Sequence, residues 1–315
     1  MKIEHSKPKV TVMIPTYNQA PLIRDAIDSA LAQNYPNLEV IVGDDASSDD
    51  TPQVVSSIKD SRLKYIRNSV NLGRTNNYKK LLDNHATGDF VVNLDGDDYY
   101  TDVDFIAEAV NLIGKNQNVV MIVARVTTKF KHGECVSKIP EVESATGMQI
   151  LKKIPNKNYM VMHMGVLYDR KRAIEIDFYR SFAISSDWES LYRLTLRGEV
   201  KYLDRNIGVW RIHGENTTGT TDIKKHLENL TIWQAIYKDA ISFGMPSILA
   251  KLCCIRCVVS YAQSSCIFIS KTGNSELLKF VFLVFKNYKF AFLIIAMTPK
   301  YATRLALCFC GYYRK

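Results

Sequence analysis

Three carboxylates, Asp95, Asp97 and Asp98, fall within four residues after the apolar run Phe90 to Leu94. Like charges this close raise one another's pKa unless something positive sits between them, and a divalent cation is the natural partner. Hard oxygen donors suit Mg2+ or Mn2+, and Mg2+ is usually held by one or two carboxylates together with substrate phosphates. The alternative is a polar, Gly-containing loop that caps the next helix. Counted as a calcium loop from Asp95, the fifth, sixth and twelfth positions are Tyr99, Tyr100 and Ile106, which excludes an EF-hand. A second acidic group runs from Asp44 to Thr51. Asp44 and Asp45, at a strand end, are placed to accept hydrogen bonds from a ligand such as a nucleobase N–H. Thr51-Pro52 has the form of an N-cap and first helical position, with Ser48, Asp49 and Asp50 serving that turn or solvent. No P-loop lysine motif and no GxGxxG occurs, so neither NTPase nor dinucleotide chemistry is supported.

These clusters need elements to position them. Val10 to Ile14, Leu38 to Val42, Leu63 to Ile66 and Phe90 to Leu94 are strand-like, and helical patterns fill the gaps at Leu22 to Gln33, Gln53 to Lys59 and Tyr78 to His85. Repeated β-α-β predicts an α/β fold with a mostly parallel sheet and helices on both faces. Ligands bind beyond the carboxyl ends of such strands, and there the chain places Pro15-Thr16-Tyr17-Asn18, the Asp44 group and the Asp95 group. Further on, Val119 to Val126, Val161 to Tyr168 and Ile207 to Ile212 are strand-like, and a helix is expected around Trp188 to Arg197.

The chain has 315 residues, 47% of them hydrophobic, which excludes a disordered or low-complexity class. Its +9 charge is local. From Pro246 onward there are ten basic residues against Glu276 alone, so the preceding residues balance and no nucleic-acid partner is implied. Six of the seven cysteines (Cys253, Cys254, Cys257, Cys266, Cys308 and Cys310) share that tail without a histidine or second CxxC at zinc spacing, and are expected to act as small hydrophobes. The N-terminus lacks a signal-peptide core, which leads us to expect a cytoplasmic location.

Five ordered motifs resemble the glycosyltransferases of family 2 with the GT-A fold: Ile14-Pro15-Thr16-Tyr17-Asn18, the strand ending in Asp44 to Thr51, Asn71-Leu72-Gly73, Gly88-Asp89-Phe90 and Leu94-Asp95-Gly96-Asp97-Asp98. Two weaker ones, Ser186-Asp187-Trp188-Glu189 and Trp210-Arg211-Ile212-His213-Gly214, carry the resemblance to about residue 220. It implies a GT-A domain over 8–220, with a nucleotide half at 8–105 and an acceptor half at 106–220, and a helical segment at 221–315. It implies that Pro15, Thr16 and Tyr17 enclose the nucleotide of a sugar donor and that Asp45, beside Asp44, meets its base, with uridine favoured. Asp95-Gly96-Asp97 then meets ribose and metal, with His213 near the diphosphate or metal and Asp187 as the base that activates the acceptor. Tyr78-Lys79 replaces the Arg-Asn pair frequent in the family, and Arg74 is either a diphosphate contact or an exposed helix-start arginine. Asp187 is otherwise an N-cap, and His163 faces the acceptor or serves the core. A metal held by Asp97 would stabilise charge building on the departing β-phosphate. The acceptor hydroxyl needs a base within hydrogen-bond reach.

Leu277 to Met297 is long and apolar enough to test as a membrane span, but Lys286 and Lys289 lie near its centre at about 3 kcal/mol each. Lys279, Lys286 and Lys289 share one helical face, and Lys300 and Arg304 repeat the spacing. We therefore expect a helix lying on anionic lipid, or else a packed helical subdomain with a solvated lysine face. Gly214 to Gly219 has the composition of a mobile flap. By resemblance, the acceptor is a polyprenyl-diphosphate-linked glycan of surface polysaccharide synthesis, extended by one sugar on the inner face of the membrane. The Gln-x-x-Arg-Trp motif of processive synthases is missing. Two other classes remain: a nucleotidyltransferase, for which no basic triphosphate loop is present around Pro15 to Pro21, and a non-catalytic membrane-bound scaffold, which donor hydrolysis would separate.

Overall fold

The computed structural model describes residues 7–114, 116–213, 220–270 and 273–288. Four parallel strands, β1 (Val10–Thr16), β2 (Leu38–Asp44), β3 (Leu63–Arg67) and β4 (Phe90–Asn93), lie in the order β3-β2-β1-β4. Helices α1 (Ile23–Leu31), α2 (Thr51–Ser57) and α3 (Arg74–Lys80) make the crossovers, and a π-helical turn at Leu81–His85 extends α3. Alternation along the strands divides their side chains between two faces. Val10, Val12, Ile14, Val40 and Val42 join Ile23, Ala26 and Ile27 of α1 in one buried cluster. On the other face α3 and its π turn close in. At Gly43 a Cβ would fall 2.5–2.8 Å from the Leu81 side chain, so glycine lets the helix approach the sheet.

The expected parallel sheet is present to this point, and a mixed set of strands then extends it. Beyond β4 come β9 (Val166–Asp169), antiparallel to both β4 and the long β6 (Val119–Phe130), then the long β10 (Glu199–Arg211), parallel to β6, and β5 (Tyr99–Tyr100). Short β7 (Gly133–Val136) and β8 (Ser144–Thr146) flank β6 and β10. Helices α4 (Phe105–Ile113), α5 (Gly147–Lys153) and α6 (Arg170–Glu175) complete this region. The sequence reading missed α4, whose Phe105, Ile106 and Ala109 enter the buried cluster. It also began the ninth strand too early, since His163–Gly165 forms a 3-10 turn before β9.

The chain divides into two compact units. The first comprises Met1–Ile150, Asn156–Arg180 and Ser190–His213, and the second comprises Leu151–Pro155, Ser181–Glu189 and Gly214–Lys315. Helix α7 (Ser186–Thr195) begins in the second unit and ends in the first. Within the second unit, α8 (Ile223–Ser242), α9 (Ser247–Ile269) and α10 (Asn274–Asn287) pack on one another. Leu277, Phe280, Val281 and Val284 of α10 are buried, while Lys279, Phe282, Phe285 and Lys286 are exposed. The apolar stripe of α10 is therefore taken up by α8 and α9, which is the packed subdomain and not a helix laying that stripe on lipid. Among the described residues α9 is the one helix long and apolar enough to cross a membrane, with mean hydropathy 1.6 and under half of its apolar window buried. The sequence reading tested 277–297 instead. Cys253, Cys257 and Cys266 are buried thiols in α9, as expected of small hydrophobes. Lys289, Lys300, Arg304, Cys308, Cys310 and the proposed flap at 214–219 lie outside the described residues.

At the end of the parallel strands remote from the acidic clusters, β2 carries a buried acid. Glu39 accepts hydrogen bonds from Thr11 Oγ1 (2.6 Å), Thr87 N (2.8 Å) and Lys64 Nζ (2.9 Å), and pairs with Lys9 at 2.9 Å. Burial alone would raise its pKa, but the bonds from Thr11, Lys64, Lys9 and Thr87 outweigh it and hold the carboxyl at about 2, against 4.5 unperturbed. A depressed folded pKa supplies stability above the unfolded value and loses it as pH falls through the folded one. Glu39→Gln should therefore lower the thermal midpoint at neutral pH by roughly 5 °C. The gap to wild type should narrow between pH 4.5 and about 2 in melts followed by circular dichroism.

Candidate active site

The parallel register sets the site. Thr16 is level with Asp44 and Met13 with Asn93, so the segments after β1, β2 and β4 leave the sheet side by side. The first two are stitched together. Asn18 N donates to Ser47 Oγ (2.9 Å), Ser48 N to Asn18 Oδ1 (2.8 Å), Gln19 N to Thr51 Oγ1 (3.0 Å) and Ala20 N to Asp49 Oδ2 (3.0 Å). Thr51 is thus the first residue of α2, after Asp50 at the cap, and its hydroxyl serves the neighbouring loop instead of capping its own helix. Asn18 and Ala46 adopt φ of 53° and 64°, the left-handed turns that bring the loops face to face.

Asp44 is fully buried. It accepts from Tyr65 Oη (2.5 Å) and Ser47 N (2.8 Å) and lies 3.5 Å from Arg67 Nε, so its bonds shape the loop from inside. Asp45 accepts from Asn68 Nδ2 and Leu72 N through Oδ1 and from Gly73 N through Oδ2, each at 2.8 Å. It thereby draws the Asn71-Leu72-Gly73 segment against the end of β2. Gly73, at φ 82°, is the N-cap of α3, a conformation suited to glycine, and it delivers exposed Arg74 as the first helical residue. Thr16 is buried, its hydroxyl donating to Gln19 Oε1 (2.8 Å), and Pro15 is buried beside it. Tyr17 is 48% exposed and offers an aromatic face at the rim. Gly96 is packed so tightly that a Cβ would fall 2.9 Å from both Ile23 and Thr16.

Carboxylate oxygens of Asp95, Asp97 and Asp98 lie within 4.8 Å of one another. The pKa of Asp97 is raised by burial and then by Asp95, and its hydrogen bond with His213 offsets part of this. That of Asp98 is pushed well up by burial, Asp95 and Asp97, against the backbone N–H of Arg211. His213 Nε2 is 2.7 Å from Asp97 Oδ2, and Arg211 N donates to Asp98 Oδ1 at 2.8 Å. Arg211 also donates from Nε to the Asp97 carbonyl, reaches Asp25 of α1 (2.9 Å) and lies 4.8 Å over the Tyr99 ring. Antiparallel pairing of Val209 with Tyr99 brings this distant segment to the acids. Sequence reasoning quoted Arg211 within a motif and gave it no role, because its contacts depend on this long-range pairing. Three hard oxygen donors crowded at one rim fit a divalent cation better than they fit one another.

Asp187 stands inside the first turn of α7, past the cap position, and is half-buried. Its segment is fastened within the second unit by Ser185 N donating to Asn229 Oδ1 (2.6 Å) and by Trp188 against Trp233, with ring centroids 6.1 Å apart.

A sequence profile of glycosyl transferase family 2 matches residues 11–176, over half of the chain. The chain belongs to glycosyl transferase family 2. Among its relatives is the GalNAc(5)-diNAcBac-PP-undecaprenol beta-1,3-glucosyltransferase of Campylobacter jejuni, 44% identical over 29% of this chain. The UDP-Glc:alpha-D-GlcNAc-diphosphoundecaprenol beta-1,3-glucosyltransferase WfaP of Escherichia coli is 38% identical, again over 29% of this chain. The chain spans 30% and 36% of these two relatives' lengths. S. aureus TarS 1-349, solved in complex with UDP-GlcNAc, shares the fold with a TM-score of 0.66 and 16% identity, over 98% of this chain and 93% of that one. This family 2 chain therefore has the GT-A type of α/β fold expected from its motifs.

A raised folded pKa means that the ionised form of Asp97 strains the metal-free fold at neutral pH. Asp97→Asn keeps a hydrogen-bonding partner for His213 and removes the repulsion. It should raise the metal-free melting midpoint by about 2–4 °C, while Mn2+ should stabilise wild type and leave the variant unmoved in the same thermal-shift assay.

Proposed function

We propose that this family 2 chain is an inverting glycosyltransferase that moves one sugar from a nucleotide diphosphate sugar, a UDP-sugar in preference, to a lipid-linked glycan. The observation that carries the reading is the rim of Asp95, Asp97 and Asp98 at the carboxyl ends of parallel strands, beside exposed Tyr17 and Arg74. The two undecaprenol-linked relatives and the UDP-GlcNAc complex of the similar fold support the choice of acceptor and donor.

Each residue then has a task. Tyr17 stacks on the base, and Asp45, with the Asn71–Gly73 backbone it holds, reads the base edge. Arg74 meets the diphosphate. Asp95 and Asp97 hold Mg2+ or Mn2+ with Asp98 behind them, and His213 steers Asp97. When bound, the cation neutralises charge that develops on the leaving diphosphate. Asp187 takes the proton of the acceptor hydroxyl as that oxygen attacks the anomeric carbon from the face opposite the departing diphosphate, which inverts the centre. The exposed face of α10, with Lys279, Lys286, Phe282 and Phe285, suits an anionic membrane surface where such an acceptor resides.

Incubation with labelled UDP-sugars, Mn2+ and an undecaprenyl-diphosphate sugar should give a lipid-extractable product from one donor. Asp187→Asn should bind UDP as wild type does and lose transfer by about 10²–10⁴-fold. Unchanged transfer would remove Asp187 from the role of base.

A further inference from the structure

Each acid of the rim is held by one donor from elsewhere in the first unit. Asp97 has His213, and Asp98 has the backbone N–H of Arg211. For Asp95 the donor is the hydroxyl of Tyr78, which bonds Oδ1. Asp95 is the least buried of the three, and repulsion from Asp97 and Asp98 pushes it away from the rim.

Tyr78 is built to resist that push. It is 2% exposed, its ring is stacked on Tyr179 (centroids 5.2 Å, 19°), and it meets His163 edge-on at 5.5 Å. Tyr179 is in turn locked, since its hydroxyl meets the Asn93 side chain and lies 2.9 Å from His163 Nε2, and its backbone N–H donates to Ser190 Oγ at 2.8 Å. Asn93 ends β4, two residues before Asp95, so one member of the support stands on the strand that leads to the acid. One turn earlier on α3, the Arg74 guanidinium lies 5.9 Å from the Tyr78 ring centroid. A single buried ring thus bears on both the cation and the acid that face the diphosphate end of the site. Packing alone would be met by phenylalanine; the hydroxyl is what reaches Asp95.

We propose that Tyr78 is a positioning residue of the nucleotide-sugar site: its hydroxyl holds one oxygen of Asp95 against the repulsion of Asp97 and Asp98, leaving the second oxygen to the ligands of the rim. The inference rests on the donor reading given above. It also gives a task to the residue that stands where the family frequently has arginine.

The test is Tyr78→Phe in the full chain, which keeps the ring and its stacking. Mn2+ affinity at saturating UDP, read from the electron paramagnetic resonance of free Mn2+, should weaken about 10- to 100-fold, as expected for loss of a hydrogen bond to a charged group. The metal-free melting midpoint should stay within a few degrees of wild type. Unchanged Mn2+ affinity overturns the inference alone. A lower metal-free midpoint with Mn2+ affinity intact makes Tyr78 a packing residue and overturns it as well. Absence of any UDP and Mn2+ binding by wild type overturns the donor reading, and the inference with it.

Discussion

Asp95, Asp97 and Asp98 repel one another at the edge of a sheet, where burial makes the repulsion stronger than water would allow. Much of the first unit is arranged around holding them there. A carboxylate free to rotate would relieve the strain by turning to solvent, and the rim would lose its shape. Donors brought from two separate stretches of chain prevent this: Tyr78 from α3, and Arg211 and His213 from the end of β10, joined to the acids by the short β5 ladder. A site held in this strained form would gain from a divalent cation, because its binding would relieve a repulsion already present.

The same economy governs the loops after β1 and β2. Asp44 and Asp45 are adjacent acids with different tasks, one shaping its own loop from within and the other pulling the Asn71–Gly73 segment into place. Ser47, Asp49 and Thr51 bind the first loop to the second. The result is a rim whose walls are set by backbone hydrogen bonds, with Tyr17 and Arg74 left outward.

The parallel half of the fold was legible because its strands are continuous apolar runs and its helices have 3.6-residue periodicity. The polar clusters after β1, β2 and β4 were legible for the same reason, since strand ends in such sheets mark the ligand edge. What stayed hidden depends on pairing across long separations. Nothing local in Tyr99-Tyr100 announces that it will meet Gly208-Val209, so the reach of Arg211 could not be read from spacing. Asp44 resembled a ligand contact because its partners, Tyr65 and Arg67, come from the next strand. In the second unit, the sequence left α10 either lying on anionic lipid or packed with a solvated lysine face, and only tertiary structure shows its apolar stripe spent on α8 and α9.

The central claim is that this rim holds a divalent cation against the diphosphate of a nucleotide. A crystal of the full chain grown with UDP and Mn2+, with anomalous scattering recorded at the manganese edge, addresses it directly. The account predicts one strong peak at bonding distance from Asp97 and Asp95, with the UDP phosphates on the same ion. A peak elsewhere, or UDP bound away from the ends of β1, β2 and β4, would contradict it.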